Sequence, residues 1–270
     1  MQLNTLTATF KRNLIIKTRA YPKDFFISSI LEAIHISLFA YFMYHLLFSG
    51  NLNSNFADYT GTSDYMTYII VGSTMYRFVV RSCLNVSRSL ITEVREGTLD
   101  SLMLAPFKRI QYFLGNMLEQ TLTTSGETLI TILICVPFGV NFSNLNPWST
   151  LLAFLISMVA YFSVSILLAC VMLYFRDTYI SQNTLFALMF LLCGVTFPIQ
   201  YLPGWVQVFS KLIPVTASLE IIRNSTISGM GISAQINNFA QLLGLSIIYC
   251  IIGFKLLKHV EIVALEKIKI

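Results

Sequence analysis

The stretch from Thr92 to Pro106, TEVREGTLDSLMLAP, is the one sizeable charged island between two long apolar runs. It reads as the end of a helix, a break at Gly97-Thr98, a second short helix, and a stop at Pro106. Thr98 suits the N-cap of the second piece. Asp100 falls in the first turn of that piece, where the helix dipole favours an acid. A bent helix of this kind, set between apolar runs, is expected at one face of a membrane.

The rest of the chain supports that setting. Of 270 residues, 55% are hydrophobic and 11% charged, against roughly a quarter charged in soluble domains. Apolar runs near 25–48, 66–87, 111–136, 149–174, 179–199 and 237–257 reach the ~20 residues that cross a hydrocarbon core. The expected fold is all-α: one polytopic membrane domain over 1–270 with six transmembrane helices. The first run starts near Phe25, after a basic segment, and is too long for the core of a cleavable signal peptide. Cys83, Cys135, Cys170, Cys193 and Cys250 lie inside or at the edge of apolar runs without metal spacing, and read as small packing residues.

Basic residues alternate from loop to loop. Lys11, Arg12, Lys17, Arg19, Lys23, Arg88, Arg95, Lys108, Arg109, Arg176, Lys255, Lys258, Lys267 and Lys269 fall on one side, whereas loops 49–65 and 137–148 hold no Lys or Arg and loop 200–236 holds only Lys211 and Arg223. The positive-inside rule then makes both termini and the Thr92–Pro106 island cytoplasmic. Residues 1–23 place Leu3, Leu6, Phe10 and Leu14 on one helical face with the basic residues elsewhere, which suits a helix lying in the headgroup layer; the alternative is a basic tail. After the fifth run, Pro198, Pro203 and Pro214 divide an aromatic segment containing Trp205, Phe209 and Leu212 into pieces too short to cross, so 200–232 is expected to re-enter the outer half of the bilayer.

Several chemistries are missing. No glycine is followed by lysine, so the chain has no phosphate-binding GxxxxGK[ST] loop. His35, His45 and His259 stand apart without metal spacing, and no serine sits in a GxSxG elbow. No catalytic residue and no metal ligand is expected, and nothing points to nucleic acid.

A polar stripe is present. Arg77, Arg81, Asn85, Arg88, Thr92 and Arg95 follow one helical face from mid-membrane into the island. Glu32 and Glu119 each lie about eight residues, or ~12 Å, from the cytoplasmic ends of their spans, at the height of Arg81. One reading is a buried ion cluster Glu32–Arg81–Glu119; the other is a polar wall of a translocation cavity, with Arg77 meeting an anionic headgroup. Glu127 sits deeper, beside Thr123, Thr124, Ser125 and Thr128, either for interhelical hydrogen bonds or along the path.

EVREGTLDSLMLAPFKR, Glu93 to Arg109, resembles the E-x-x-x-G-T-L-[DE]-x-L-x-x-x-P segment of ABC-2 type permeases, the membrane subunits of a large class of ABC exporters. FRD at 175–177 and TFPIQYLPGWVQVFSKLIPVTASLEIIRN at 196–224 continue the likeness in order. The resemblance implies a dimer, with a second copy of this chain as the first reading and a different permease chain as the second. Each half would be served by a separate ABC ATP-binding subunit that carries ATP and magnesium, with no cofactor in this chain and membrane lipids around it. It makes 88–106 the coupling region, with Glu93, Glu96, Gly97, Thr98, Leu99 and Asp100 as candidate ATPase contacts. The implied activity is export of an amphiphile (drug, antibiotic, peptide or lipid-like) across a plasma membrane, bacterial in the first reading. Export of a lipid-linked cell-surface polysaccharide is the alternative. Outside the family, an ion-coupled secondary transporter using Glu32, Glu119 or Glu127, or a membrane-embedded enzyme, would be the rivals.

Overall fold

A computed structural model of the protein describes residues 3–20, 23–47, 54–98, 109–175 and 184–268. Among these residues there are ten α-helices and no strand: α1 (Leu3–Ala20), α2 (Asp24–Phe42, continued as a π-turn over Met43–Leu47), α3 (Ser54–Thr60), α4 (Tyr65–Arg95), α5 (Arg109–Cys135), α6 (Pro147–Phe175), α7 (Phe186–Leu192), α8 (Gly204–Leu212), α9 (Pro214–Thr226) and α10 (Ile236–Ile268).

Local chemistry sets where the long helices begin. The Asp64 carboxylate accepts the Thr67 N–H at 3.0 Å and starts α4. The Asn146 side chain accepts the Ser149 N–H at 3.2 Å, with Pro147 in the first helical position of α6. At the other end of α4, Gly97 adopts φ +70°, and the Thr98 N–H returns to the Glu93 carbonyl at 2.9 Å. That is a Schellman end, which a glycine in the left-handed region allows without strain.

Helix α6 is the hub, with α4, α9 and α10 packed around it, while α5 carries α1, α2 and the C-terminal half of α4. Tyr161, Ile166 and Phe78 are fully buried at the centre, and Phe78 meets Phe154 edge-on at 5.1 Å between centroids. The exposed surface is rich in large apolar side chains, such as Leu122, Leu129, Leu133, Ile247, Ile248 and Ile251, as expected of helices solvated by lipid.

Four stretches are long and apolar enough to cross a membrane: Phe26–Leu46, Ile110–Phe138, Pro147–Tyr174 and Ser233–Leu257. The bent pair α8–α9 would make a fifth if counted as one span. This falls short of the six expected, for two reasons. The expected second span is α4, whose 31 residues give ample length, but whose arginine stripe makes it too charged to qualify on composition. The expected fifth span, 179–199, is represented by α7, because residues 176–183 lie outside the described ones.

Residues 3–20 are one helix, seated on α5. Thr9 is buried, and a Cβ at Gly115 would stand 2.8 Å from the Thr9 Cβ, so the glycine provides the seat. In the proline-rich segment, Pro214 holds Ile213 extended (φ −84°, ψ 120°), and α8 and α9 meet at 88°. Helix α9 lies along only the first half of α6: Ser225 bonds Ser149 at 2.9 Å, and Ser218 bonds Ser157 at 2.8 Å.

Candidate functional site

Within the stripe, Arg77, Arg81 and Asn85 face α2 and α5. Arg77 is buried; its Nη2 donates to Thr131 Oγ1 at 2.8 Å, and its Nη1 lies 3.3 Å from Glu32 Oε2. Arg81 Nη2 donates to the same Glu32 oxygen at 3.1 Å, and Arg81 Nη1 lies 3.6 Å from Glu127 Oε1. One turn nearer the island, Asn85 donates to Glu119 at 3.2 Å and to the Asn116 carbonyl at 3.1 Å.

The expected triplet Glu32–Arg81–Glu119 is therefore replaced by Glu32–Arg77–Arg81–Glu127. The difference is one of register: Arg81 keeps Glu32 but lies level with Glu127, eight residues or ~12 Å further along α5 than Glu119. Glu119 joins a second network instead, with Lys17 Nζ at 3.7 Å and Thr123 Oγ1 at 2.8 Å. Around Glu127, the hydroxyls of Thr123, Ser125 and Thr131 mostly bond back to carbonyls four residues earlier in α5. Only Thr131 and Glu127 reach across to α4.

These side chains border two neighbouring clefts. The inner cleft, of about 780 Å³, lies between α1, α4 and α5 and is lined by Arg12, Lys17, Asn85, Arg88, Asn116 and Glu119, among others. The side cleft, of about 370 Å³, lies between α2, α4 and α7 and is lined mainly by Ile36, Phe39, Tyr76 and Phe190, with Glu32, Arg77 and His35. Val80 and Arg81 line both. The two clefts thus lie on either side of Val80 and Arg81, the first lined mostly by polar residues and the second mostly by apolar ones.

At the island end, Glu93 is buried. Its carboxylate accepts from the Tyr112 hydroxyl at 2.9 Å, from Arg12 at 3.2 and 3.3 Å, and from the Thr98 hydroxyl. Burial alone would raise the Glu93 carboxyl, but the Thr98 and Tyr112 hydroxyls and the Arg12 guanidinium together hold it below the usual carboxylate range. The spacing of Glu93, Gly97 and Thr98 thus has a physical content: the carbonyl and carboxylate of one residue close the helix end made by the other two. Glu96, Gly97 and Thr98 are exposed. Leu99 and Asp100, like the short helix expected after Thr98, lie outside the described residues; so do Arg176 and Asp177 of the FRD triplet.

In the proline-rich segment, Pro198 and Pro214 are buried, whereas Pro203 is exposed and Trp205 shows 70% of its surface. What sequence reasoning missed is Arg223 of α9, which reads as a loop cation. It is buried, donates to the Gly194 carbonyl at 2.6 Å, to the Val195 carbonyl and to the Tyr68 carbonyl at 3.3 Å, and stacks 3.6 Å from the Tyr68 ring centroid. Gly72 makes room for it: a Cβ there would lie 1.9 Å from Arg223 Nη2. Arg12 and Tyr112 as partners of Glu93, Lys17 as partner of Glu119 and Asn116 as partner of Asn85 were also missed, and the only signal for them is position near a helix end.

Comparison with known protein families matches residues 7–227 to the ABC-2 type transporter family. The chain belongs to the ABC-2 type transporter family. It is a multi-pass membrane protein, and membership implies an ABC ATPase partner. No curated protein matches the chain.

Proposed function

We propose that this member of the family is the permease subunit of an ATP-driven exporter. It moves an amphiphile out across the plasma membrane as a dimer of identical chains, with six spans and both termini in the cytoplasm. The observation that carries this reading is the adjacency of the two clefts. A cleft of about 780 Å³ lined mostly by polar residues opens beside the island, and an apolar side cleft of about 370 Å³ lies across Val80 and Arg81 from it. Both volumes lie in the range of roughly 300 to 1,000 Å³ typical of small-molecule sites. An amphiphile's head and tail would each find a matching wall, whereas a long glycan would not be enclosed.

ATP and magnesium belong to the partner ATPase in this reading. The exposed Glu96, with Leu99 and Asp100 beyond it, forms the docking surface. Glu93 acts as a positioning residue by closing the end of α4 and holding α1 through Arg12. The bent α8–α9 pair is the re-entrant segment.

The test is reconstitution of the chain with its ATPase in inverted vesicles. ATP should drive amphiphile accumulation, and Glu96→Lys should reduce both retention of the ATPase and transport. Accumulation driven by an ion gradient without ATP would overturn the proposal.

A further inference from the structure

The ion cluster carries two positive and two negative groups within salt-bridge distance, Arg77 and Arg81 against Glu32 and Glu127. Its formal charge is balanced. Its hydrogen-bonding capacity is not: Arg77 Nε and Nη1 and Glu127 Oε2 are buried without a hydrogen-bond partner. Orphaned donors and acceptors of this kind are costly in an apolar surround. The cluster borders a cleft whose other walls are Ile36, Phe39, Tyr76 and Phe190, and Glu32 and Arg81 are each about one-third exposed (31% and 34%).

From this we infer that the side cleft binds amphiphiles with a zwitterionic headgroup, an ammonium and a phosphate or carboxylate on one apolar tail. The inference rests on the transport reading only for its physiological meaning; the binding itself stands on the cluster. A singly charged head would enter a balanced cluster and leave one charge uncompensated in the apolar cleft, which is expensive. A zwitterion exchanges partners without changing the total: its anion takes the donors of Arg77 and Arg81, and its cation takes Glu32, the carboxylate that lines the cleft. The tail then lies along the aromatic wall. The inner cleft, sharing Val80 and Arg81 with the side cleft, gives the head a polar approach.

Three photoactivatable probes with the same dodecyl tail separate the possibilities: a phosphocholine, a phosphate and a trimethylammonium. Each is presented to the full-length chain in nanodiscs of uncharged lipid, without ATPase or nucleotide, and labelling of α2 and α4 is mapped by peptide mass spectrometry. The phosphocholine probe should label most at equal concentration. Glu32→Gln should shift preference toward the phosphate probe, and Arg81→Gln toward the trimethylammonium probe, each by about tenfold, which corresponds to ~1.4 kcal/mol. The balanced double variant Glu32→Gln/Arg81→Gln should lose the zwitterion preference without gaining either other one. If a single variant does not fold, the exchanged pair Glu32→Arg/Arg81→Glu keeps the charge total and should retain the wild-type order. Equal labelling by all three probes, or an order unmoved by Glu32→Gln and Arg81→Gln, overturns the inference. Because no ATP is present, zwitterion binding in a chain that shows no ATP-driven transport would defeat the transport reading alone.

Discussion

Helix α4 borders two arginine arrangements that solve the same electrostatic problem in opposite ways. At Arg77 and Arg81 the cations meet carboxylates, share them unevenly, and border open clefts. Near the start of the same helix, Arg223 reaches in from α9 and, among the described residues, forms no ion pair; carbonyls of Gly194, Val195 and Tyr68 and the face of Tyr68 surround it. Carbonyl dipoles are part of the backbone and cannot rearrange without moving helices, whereas carboxylates sit on rotatable side chains. The first arrangement can trade partners and the second cannot. A transporter needs both: a place where contacts exchange and a place where they hold.

The largest effect should come from breaking the fixed site. Arg223→Met strands the Gly194 and Val195 carbonyls, and Gly72→Ala drives a methyl into the guanidinium; each should destabilise the protein by about 3 to 5 kcal/mol in thermal unfolding in a mild detergent. Arg77→Met should cost less, about 1 to 3 kcal/mol, because Glu32 keeps Arg81. Equal losses at the two sites would erase the distinction between them.

A smaller effect tests the island end, where a carboxylate acts as a fixture. Because Glu93 is held below its ordinary value in the folded protein, its contribution is complete above the usual glutamate range and is lost as pH falls through the folded value. Glu93→Gln should therefore be less stable than wild type at neutral pH, by on the order of 1 kcal/mol given the half-exposed Arg12. The two melting curves should converge as the pH falls below about 4. A constant gap down to low pH would remove the charge from the account. The smallest effect is expected at Gly97→Ala, where open space surrounds the site and the left-handed backbone alone costs about 1 kcal/mol. Its melting temperature should drop slightly, while the order of probe labelling stays as in wild type.

Much of this was legible in the sequence, and the failures have physical causes. The four apolar spans, the break at Gly97 and the face shared by Arg77, Arg81 and Asn85 follow from periodicity and backbone preference, which are local properties. The pairing of Arg81 with Glu127 rather than Glu119 was not legible, because it depends on register between helices. The helix through to Gly97 was legible, but the height at which α4 crosses α5 is set by packing between the two helices. Arg223 was hidden for a different reason. Its compensation is made of main-chain oxygens from residues far away in sequence, and no side-chain pattern announces a carbonyl cage. Gly72 is the matching half of that signal, and a glycine in an apolar run has several readings until its neighbour is known.

The continuity of α4 has a mechanical consequence. Its 31 residues make a rod of about 46 Å, pinned near one end where Gly72 meets Arg223, with Glu96 about 36 Å from the pin and Arg81 about 13 Å from it. A tilt of roughly 5° about that pin would sweep Glu96 through ~3 Å but Arg81 through only ~1 Å. That smaller motion is comparable to the slack in contacts of 3.1 and 3.6 Å. The helix is a reducing lever: a coarse push at the island arrives at the ion cluster as a fine one, of the size that separates a made contact from a broken one.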